Sequence, residues 1–126
     1  MSSDKPSHRG SPYAQELISH LQPHCTTHKT DPGEQLNLQV NGQSMCYLIL
    51  DGTVAIYRRS DDMMLSTARS PALFGLANLT DIYFTDYLRT VTPCLIGVLT
   101  TDRVAEIIKE KALWGLLSNH LMFVYN

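Results

Sequence analysis

The sequence has no long apolar run, because polar side chains interrupt every hydrophobic stretch of its 126 residues. A helix needs about 20 consecutive apolar residues to cross a bilayer, so we expect no membrane span and no membrane partner. Residues 1–12 are rich in Ser, Pro and charge and lack the apolar middle of a secretory signal. They predict a flexible N-terminal arm on a cytoplasmic protein.

The sequence also lacks an excess of basic side chains. It has ten Lys and Arg against twelve Asp and Glu, which gives a formal charge of −2. A domain that holds a phosphate backbone by itself usually carries a clear basic excess. We therefore expect that this segment alone does not bind DNA.

Cysteines are few and widely spaced. The three cysteines Cys25, Cys46 and Cys94 fit neither a disulfide framework nor a CxxC metal clamp, and reduced thiols are expected. Cys46 and Cys94 lie within apolar strand patterns, which favours buried structural thiols. Cys25 lies on a predicted loop close to two histidines and is the possible redox thiol, since thiol reactivity needs exposure and a lowered pKa.

No set of residues forms a recognisable metal or catalytic motif. His20, His24, Cys25 and His28 lie close together and could ligate zinc or haem iron, but their spacing fits no standard ligand pattern. A cupin-type metalloenzyme would need a His-x-His pair, which the sequence does not contain. We therefore expect no metal, no cofactor and no catalytic residue, and hence no enzyme.

The hydrophobic content of 44% and charged content of 17% are typical of one soluble globular domain. Leu17, Ile18 and Leu21 have helical spacing and predict a helix over residues 13–21. Pro23 would stop that helix.

After this helix the apolar period changes to two, as on a half-buried strand. Residues 46–50 and 53–57 are rich in β-formers and joined by Asp51-Gly52, which predicts a tight hairpin. The paired acids Asp61 and Asp62 fall on a further predicted turn. Further strands are predicted over residues 36–40, 63–68, 87–92 and 95–99. The fold class is mainly β with flanking α-helices, an antiparallel β jelly roll.

Two helices are predicted at the end of the sequence. Thr101 or Asp102 can cap the first, in which apolar residues recur every three to four positions. The second begins near Leu113 and is still apolar at Asn126 without a stop signal, so we expect this helix to continue past Asn126.

The stretch of residues 47–57, Tyr-Leu-Ile-Leu-Asp-Gly-Thr-Val-Ala-Ile-Tyr, resembles the N-terminal domains of Crp/Fnr transcription regulators. In that family a strand turns at a fixed glycine, which Gly52 matches, and returns as a second apolar strand. The order of elements is similar over residues 13–125. Within the family, the sequence is also similar to the enterobacterial winged-helix regulators linked to peroxide resistance.

In this family a short cassette binds the phosphate of a cyclic nucleotide through a Gly-Glu pair and a later Arg-Ser/Thr pair. The resemblance places Gly75 at the glycine and Leu76 at the glutamate, and it places Phe84 and Thr85 at the later pair. Loss of the arginine would leave a phosphate charge without its partner, at a cost of about 2 to 5 kcal/mol. The cassette is therefore predicted to be degenerate.

The resemblance implies an effector pocket that is apolar or filled from within, lined by Gly75, Leu76, Ala77, Phe84, Thr85 and Arg89. The alternative is that Arg89 or Arg69 reaches in and restores a phosphate site.

The resemblance further implies a sensor domain over residues 13–110 and the start of a dimerisation helix over residues 111–126. The predicted partners are a second copy through that helix, DNA through a domain beyond Asn126, and a small-molecule effector of unknown identity. Residues expected on the dimer helix are Trp114, Leu117, Leu121 and Val124. The alternative for this apolar face is core packing against the barrel, and both roles can hold at once. The alternative function is a stand-alone module that binds a cyclic nucleotide or another small molecule.

Overall fold

A computed structural model of the chain describes residues 11–76 and 86–125. It contains three α-helices, which are α1 (Ala14–Leu21), α2 (Thr101–Glu110) and α3 (Trp114–Tyr125), and a 3-10 turn at Gln22–His24. The strands are β1 (Thr26–Thr30), β2 (Gln35–Asn37), β3 (Gln39–Val40), β4 (Gln43–Asp51), β5 (Thr53–Arg58), β6 (Met63–Arg69), β7 (Ala72–Phe74), β8 (Tyr87–Thr90) and β9 (Cys94–Thr100).

The strands form two antiparallel sheets that pack face to face. The first sheet has the order β1-β9-β4-β3, with β7 also paired to β4, and the second has the order β2-β8-β5-β6. The helices cover the other face of the first sheet. The predicted fold class, an antiparallel jelly roll flanked by helices, is confirmed.

Strand β4 is buried on both faces, which explains its continuous apolar sequence. Cys46 and Leu48 belong to the helix-side core, a cluster formed with side chains of all three α-helices. Tyr47 and Ile49 belong to the inter-sheet core, a second cluster that lies between the two sheets. Alternate residues of one strand therefore build two separate cores.

Two turns, at residues 41–42 and 61–62, have the geometry that their residues favour. Asn41 and Gly42 both have positive φ, at 53° and 78°, as a two-residue hairpin requires. Asp61 and Asp62 lie in the turn between β5 and β6, where Asp61 Oδ1 accepts a hydrogen bond from the Met63 amide at 3.2 Å. These acids serve turn geometry, as expected.

The structure differs from the predictions made from the sequence at three points. Strand β1 was not expected, because its sequence Thr-Thr-His-Lys-Thr is polar and its first four residues are exposed. The three-residue strand β7 was also not expected. The cap of α2 is Thr100, whose Oγ1 accepts from the Arg103 amide at 3.1 Å, and not Thr101 or Asp102.

Candidate functional site

The space between the sheets is the position at which a jelly roll of this kind would hold a small ligand. Buried apolar side chains fill it from both sheets, and the largest of them are Tyr47 and Phe74. Tyr47 also donates a hydrogen bond from its hydroxyl to the Asn37 carbonyl at 2.5 Å. The described part of this interior is a packed core with few polar side chains.

Gly75 follows β7 directly and has a φ of +98°. A Cβ at this position would lie 2.2 Å from the Met45 carbonyl oxygen. The glycine is therefore required by the close approach of the backbone to β4, as well as by its positive φ. This packing role is independent of any phosphate.

Leu76, which stands at the glutamate position of the family cassette, is 3% exposed. It belongs to the helix-side core, together with Leu73 and Leu17. Its side chain therefore packs between the first sheet and the helices. The structure does not bring Leu76 into the inter-sheet core.

Arg89 lies on β8 next to Leu88, which is in the inter-sheet core. Since neighbouring strand residues face opposite sides, Arg89 lies on the outer face of the second sheet. Its guanidinium donates to the Gly33 carbonyl at 3.0 Å and to Gln35 Oε1 at 3.1 Å. The structure therefore does not bring Arg89 together with Gly75 and Leu76.

An aromatic and basic cluster surrounds Arg89 and was not predicted from the sequence. The rings of Tyr57 and Tyr87 are stacked with centroids 5.4 Å apart, and the Arg59 guanidinium lies 5.1 Å from the Tyr87 centroid. Arg89 lies 5.8 Å from the Tyr57 centroid and 5.9 Å from that of Tyr87. The signal that could have found it is the pairing of Tyr57 with Tyr87 on neighbouring strands.

The remaining cassette positions Ala77, Phe84 and Thr85 lie outside the described residues, so their predicted role stays a prediction. Arg69 ends β6 on the outer side of the molecule, where it lines an open polar depression with Asp51 and Ser70. It does not enter the inter-sheet core.

The thiol of Cys25 is partly buried against Gly97. A Cβ added to Gly97 would lie only 2.7 Å from Cys25 Sγ. It donates a hydrogen bond to the Gln22 carbonyl at 3.1 Å, and burial raises its pKa. Both features disfavour the reactive thiolate. Its possible redox role stays a prediction. Cys46 and Cys94 are buried, and burial raises the pKa of Cys46 to about 12.

The histidines near Cys25 do not converge on a metal site. His24 Nδ1 lies 3.2 Å from Arg103 Nη2 on α2, so its ring faces a cation. Within residues 11–76 and 86–125, no three side chains of His, Cys, Asp or Glu are grouped as metal ligands.

The predicted dimer-helix residues divide between the core and solvent. Leu117 is 2% exposed and Leu121 packs partly against the helix-side core, whereas Trp114 is 50% exposed. The exposed Met122 lies two turns from Trp114 on the same side of α3. The side chain of Val124 lies outside the described residues.

No protein-family model matches the chain, and no curated protein matches it in sequence. Solved structures do match. One is the N-terminal domain of a transcriptional regulator from Streptomyces coelicolor A3(2), with a TM-score of 0.59 and 19% identity over 84% of this chain and 77% of that chain. Another is CLP, the c-di-GMP-responsive global regulator of Xanthomonas campestris, with a TM-score of 0.61 and 17% identity over 86% of this chain.

The chain spans 59% of the length of CLP and about three quarters of the Streptomyces structure. The resemblance to N-terminal domains of Crp/Fnr regulators is therefore confirmed as a similarity of structure. At these identities the similarity establishes the fold, and the fold alone does not fix a function. Among the described residues, no helix is long and apolar enough to span a bilayer.

Proposed function

We propose that this chain is the sensor and dimerisation domain of a Crp/Fnr-like transcription regulator, and that its cyclic-nucleotide cassette is degenerate. The observation that carries the proposal is a jelly roll with the fold of regulator N-terminal domains. Its inter-sheet space is packed with apolar side chains. The chain would act in the cytoplasm as a regulatory module and not as an enzyme.

The degenerate cassette is supported by where its described residues lie. Leu76 packs on the helix side of the first sheet, and Arg89 is held on the outer face of the second. Neither offers a polar group to a ligand between the sheets. A phosphate there would need a cation within hydrogen-bonding distance, since an uncompensated buried charge is costly.

Dimerisation through α3 is supported by the exposed apolar residues Trp114 and Met122. They lie eight positions apart on α3, whereas Leu117, one turn from Trp114, packs in the helix-side core. An exposed aromatic residue on a helix is a favourable anchor for a two-fold contact. DNA would be bound by a further domain, and the barrel would signal through α3 by shifting the dimer arrangement.

Sedimentation velocity of the Trp114→Glu variant tests the dimer. Because Trp114 is half exposed, the variant should keep its far-UV circular dichroism while dimerisation through α3 is lost. Leu117→Ala is the matched comparison. It should lose about 2 to 5 kcal/mol of unfolding free energy, because it leaves a cavity in the helix-side core. A Trp114→Glu protein with the native mass distribution would refute the α3 contact.

An alternative function is a module that binds a small molecule without regulating DNA. Because CLP is named as a c-di-GMP-responsive regulator, c-di-GMP is one ligand to test. Thermal melting with c-di-GMP, cyclic AMP and cyclic GMP tests whether the chain binds any of these ligands. A ligand that binds only the folded state raises the melting temperature with concentration. We expect no shift with any of the three.

A further inference from the structure

An open polar depression lies at the turn between β4 and β5, beside the end of β6. Its lining residues are Asp51, Gly52, Thr53, Arg69 and Ser70, and its volume is about 330 Å³. Sites for small molecules usually measure about 300 to 1,000 Å³ and are mostly apolar. This depression is at the small end of that range and has polar side chains, so it fits a small polar ligand.

The backbone holds the two sides of the depression together. The Ser70 amide donates to the Gly52 carbonyl at 2.9 Å. Thr53 lies opposite Arg69 in the pairing of β5 with β6. Gly52 has a φ of +108° and is packed so closely that a Cβ would lie 2.6 Å from Cys94 Sγ. The side chains of the depression therefore start from fixed backbone positions.

The depression contains one side chain of each charge. Asp51 and Arg69 are exposed, and within the part of the chain that the structure describes neither forms an ion pair, with the other or elsewhere. The side-chain hydroxyls of Thr53 and Ser70 likewise make no hydrogen bond among the described residues. All four side chains therefore keep their hydrogen-bonding capacity for a ligand.

The two charges decide the class of ligand. An anion alone would be repelled by the carboxylate of Asp51, and a cation alone by the guanidinium of Arg69. A small ligand with both an ammonium and a carboxylate group satisfies both side chains. The guanidinium can donate two parallel hydrogen bonds to the ligand carboxylate, and the Asp51 carboxylate can accept from the ammonium group.

We propose that this depression binds a free α-amino acid, whose carboxylate contacts Arg69 and whose ammonium group contacts Asp51. The hydroxyls of Thr53 and Ser70 complete the contacts, and the ligand's own side chain extends into solvent because the depression is open. Exposed charge pairs contribute little, so we expect a dissociation constant on the order of 1 mM. The proposal does not rest on the proposed regulatory function.

The test is an NMR titration of the isotope-labelled chain with L-alanine. The amide signals of Gly52, Thr53 and Ser70 should shift and saturate as at a single site. N-acetyl-L-alanine lacks the ammonium group and L-alaninamide lacks the carboxylate. Each should bind at least tenfold more weakly, because hydrogen bonds to a charged group are lost. Inorganic phosphate should not saturate these signals.

Two variants test the residues of the depression. Arg69→Gln and Asp51→Asn should each weaken L-alanine binding at least tenfold, and their amide spectra show whether they are folded. The control is Arg103→Gln, which removes an exposed arginine on α2 and should leave binding unchanged.

The proposal is overturned if L-alanine does not shift these signals at concentrations far above the expected dissociation constant. It is also overturned if either analogue or inorganic phosphate binds as tightly as L-alanine, or if a folded Arg69→Gln protein binds L-alanine as the native chain does.

Discussion

The hydroxyl of Tyr87 donates a 2.7 Å hydrogen bond to Oδ1 of Asp62. The bond ties the first residue of β8 to the turn between β5 and β6, and it raises the pKa of Tyr87. Because the Arg59 guanidinium also lies over the Tyr87 ring, Tyr87 joins β8 to both ends of the turn between β5 and β6. The outer face of this sheet is therefore held together by these side-chain contacts.

Removing that hydroxyl should weaken the turn without disturbing the ring stack. We expect Tyr87→Phe to lose about 1 kcal/mol of unfolding free energy, which is the usual net value of one hydrogen bond. Urea unfolding followed by circular dichroism measures it. Tyr57→Phe is the control, because it keeps the same ring stack and leaves the Asp62 bond in place. Equal losses in the two variants would mean that the bond to Asp62 contributes nothing.

Gly75 should be indispensable for the fold, whatever the cassette binds. An alanine Cβ would lie 2.2 Å from the Met45 carbonyl oxygen at a φ of +98°, so Gly75→Ala should cost about 3 kcal/mol or more. Gly33→Ala is the matched control. Gly33 has a similar φ of +88° but no atom within 4 Å of the added Cβ, so it should cost only about 1 to 2 kcal/mol. Similar melting temperatures for the two variants would contradict this packing account.

The connection between α2 and α3 has an alanine at a position whose left-handed backbone conformation favours glycine. Ala112 has a φ of +55°, and the amides of Ala112 and Leu113 bond to the carbonyls of Lys109 and Ile108 at 3.3 and 2.9 Å. This is a Schellman ending, in which the left-handed position favours glycine. Ala112→Gly should therefore stabilise the protein by up to about 1 kcal/mol, and Gly115→Ala, in the first turn of α3, is the comparison.

Thermal and urea unfolding measure the effect of both changes. A destabilised Ala112→Gly protein would show that packing around Leu113, and not the backbone conformation at Ala112, controls this joint.

The burial of Cys25 predicts slow alkylation near neutral pH. Its pKa is raised, chiefly by desolvation, so the thiolate is scarce and its fraction grows as the pH rises. Mass spectrometry after iodoacetamide treatment should show slower labelling than of an unfolded control at pH 8. Cys25→Ser should remove the first label to appear. Rapid labelling of the folded protein at pH 7 would instead support a redox role for this thiol.

The sequence predicts those parts of the fold in which local pattern and tertiary burial agree. The β4–β5 hairpin is clear because a continuous apolar run meets Asp51-Gly52, and Gly52 packs against Cys94 with a positive φ. Strand β1 was missed because its exposed polar residues carry no periodic signal. It is held by its pairing with β9, which lies far away in sequence.

The candidate site was harder to predict, because a side chain's face depends on strand register. Leu88 takes the interior position on β8, so Arg89 must face outward, and a shift of one residue would reverse this. The direction of Leu76 depends likewise on the turn at Gly75. Neither direction can be read from the identity of the residue.

The most direct test of the proposed function is calorimetric titration of the chain with cyclic AMP, with cyclic GMP as the comparison. The account predicts no saturable heat with either nucleotide, since neither Leu76 nor Arg89 offers a polar contact between the sheets. Heat that saturates at one site per chain with micromolar affinity would contradict the degenerate cassette. The chain would then hold the phosphate with a cation other than those assigned above.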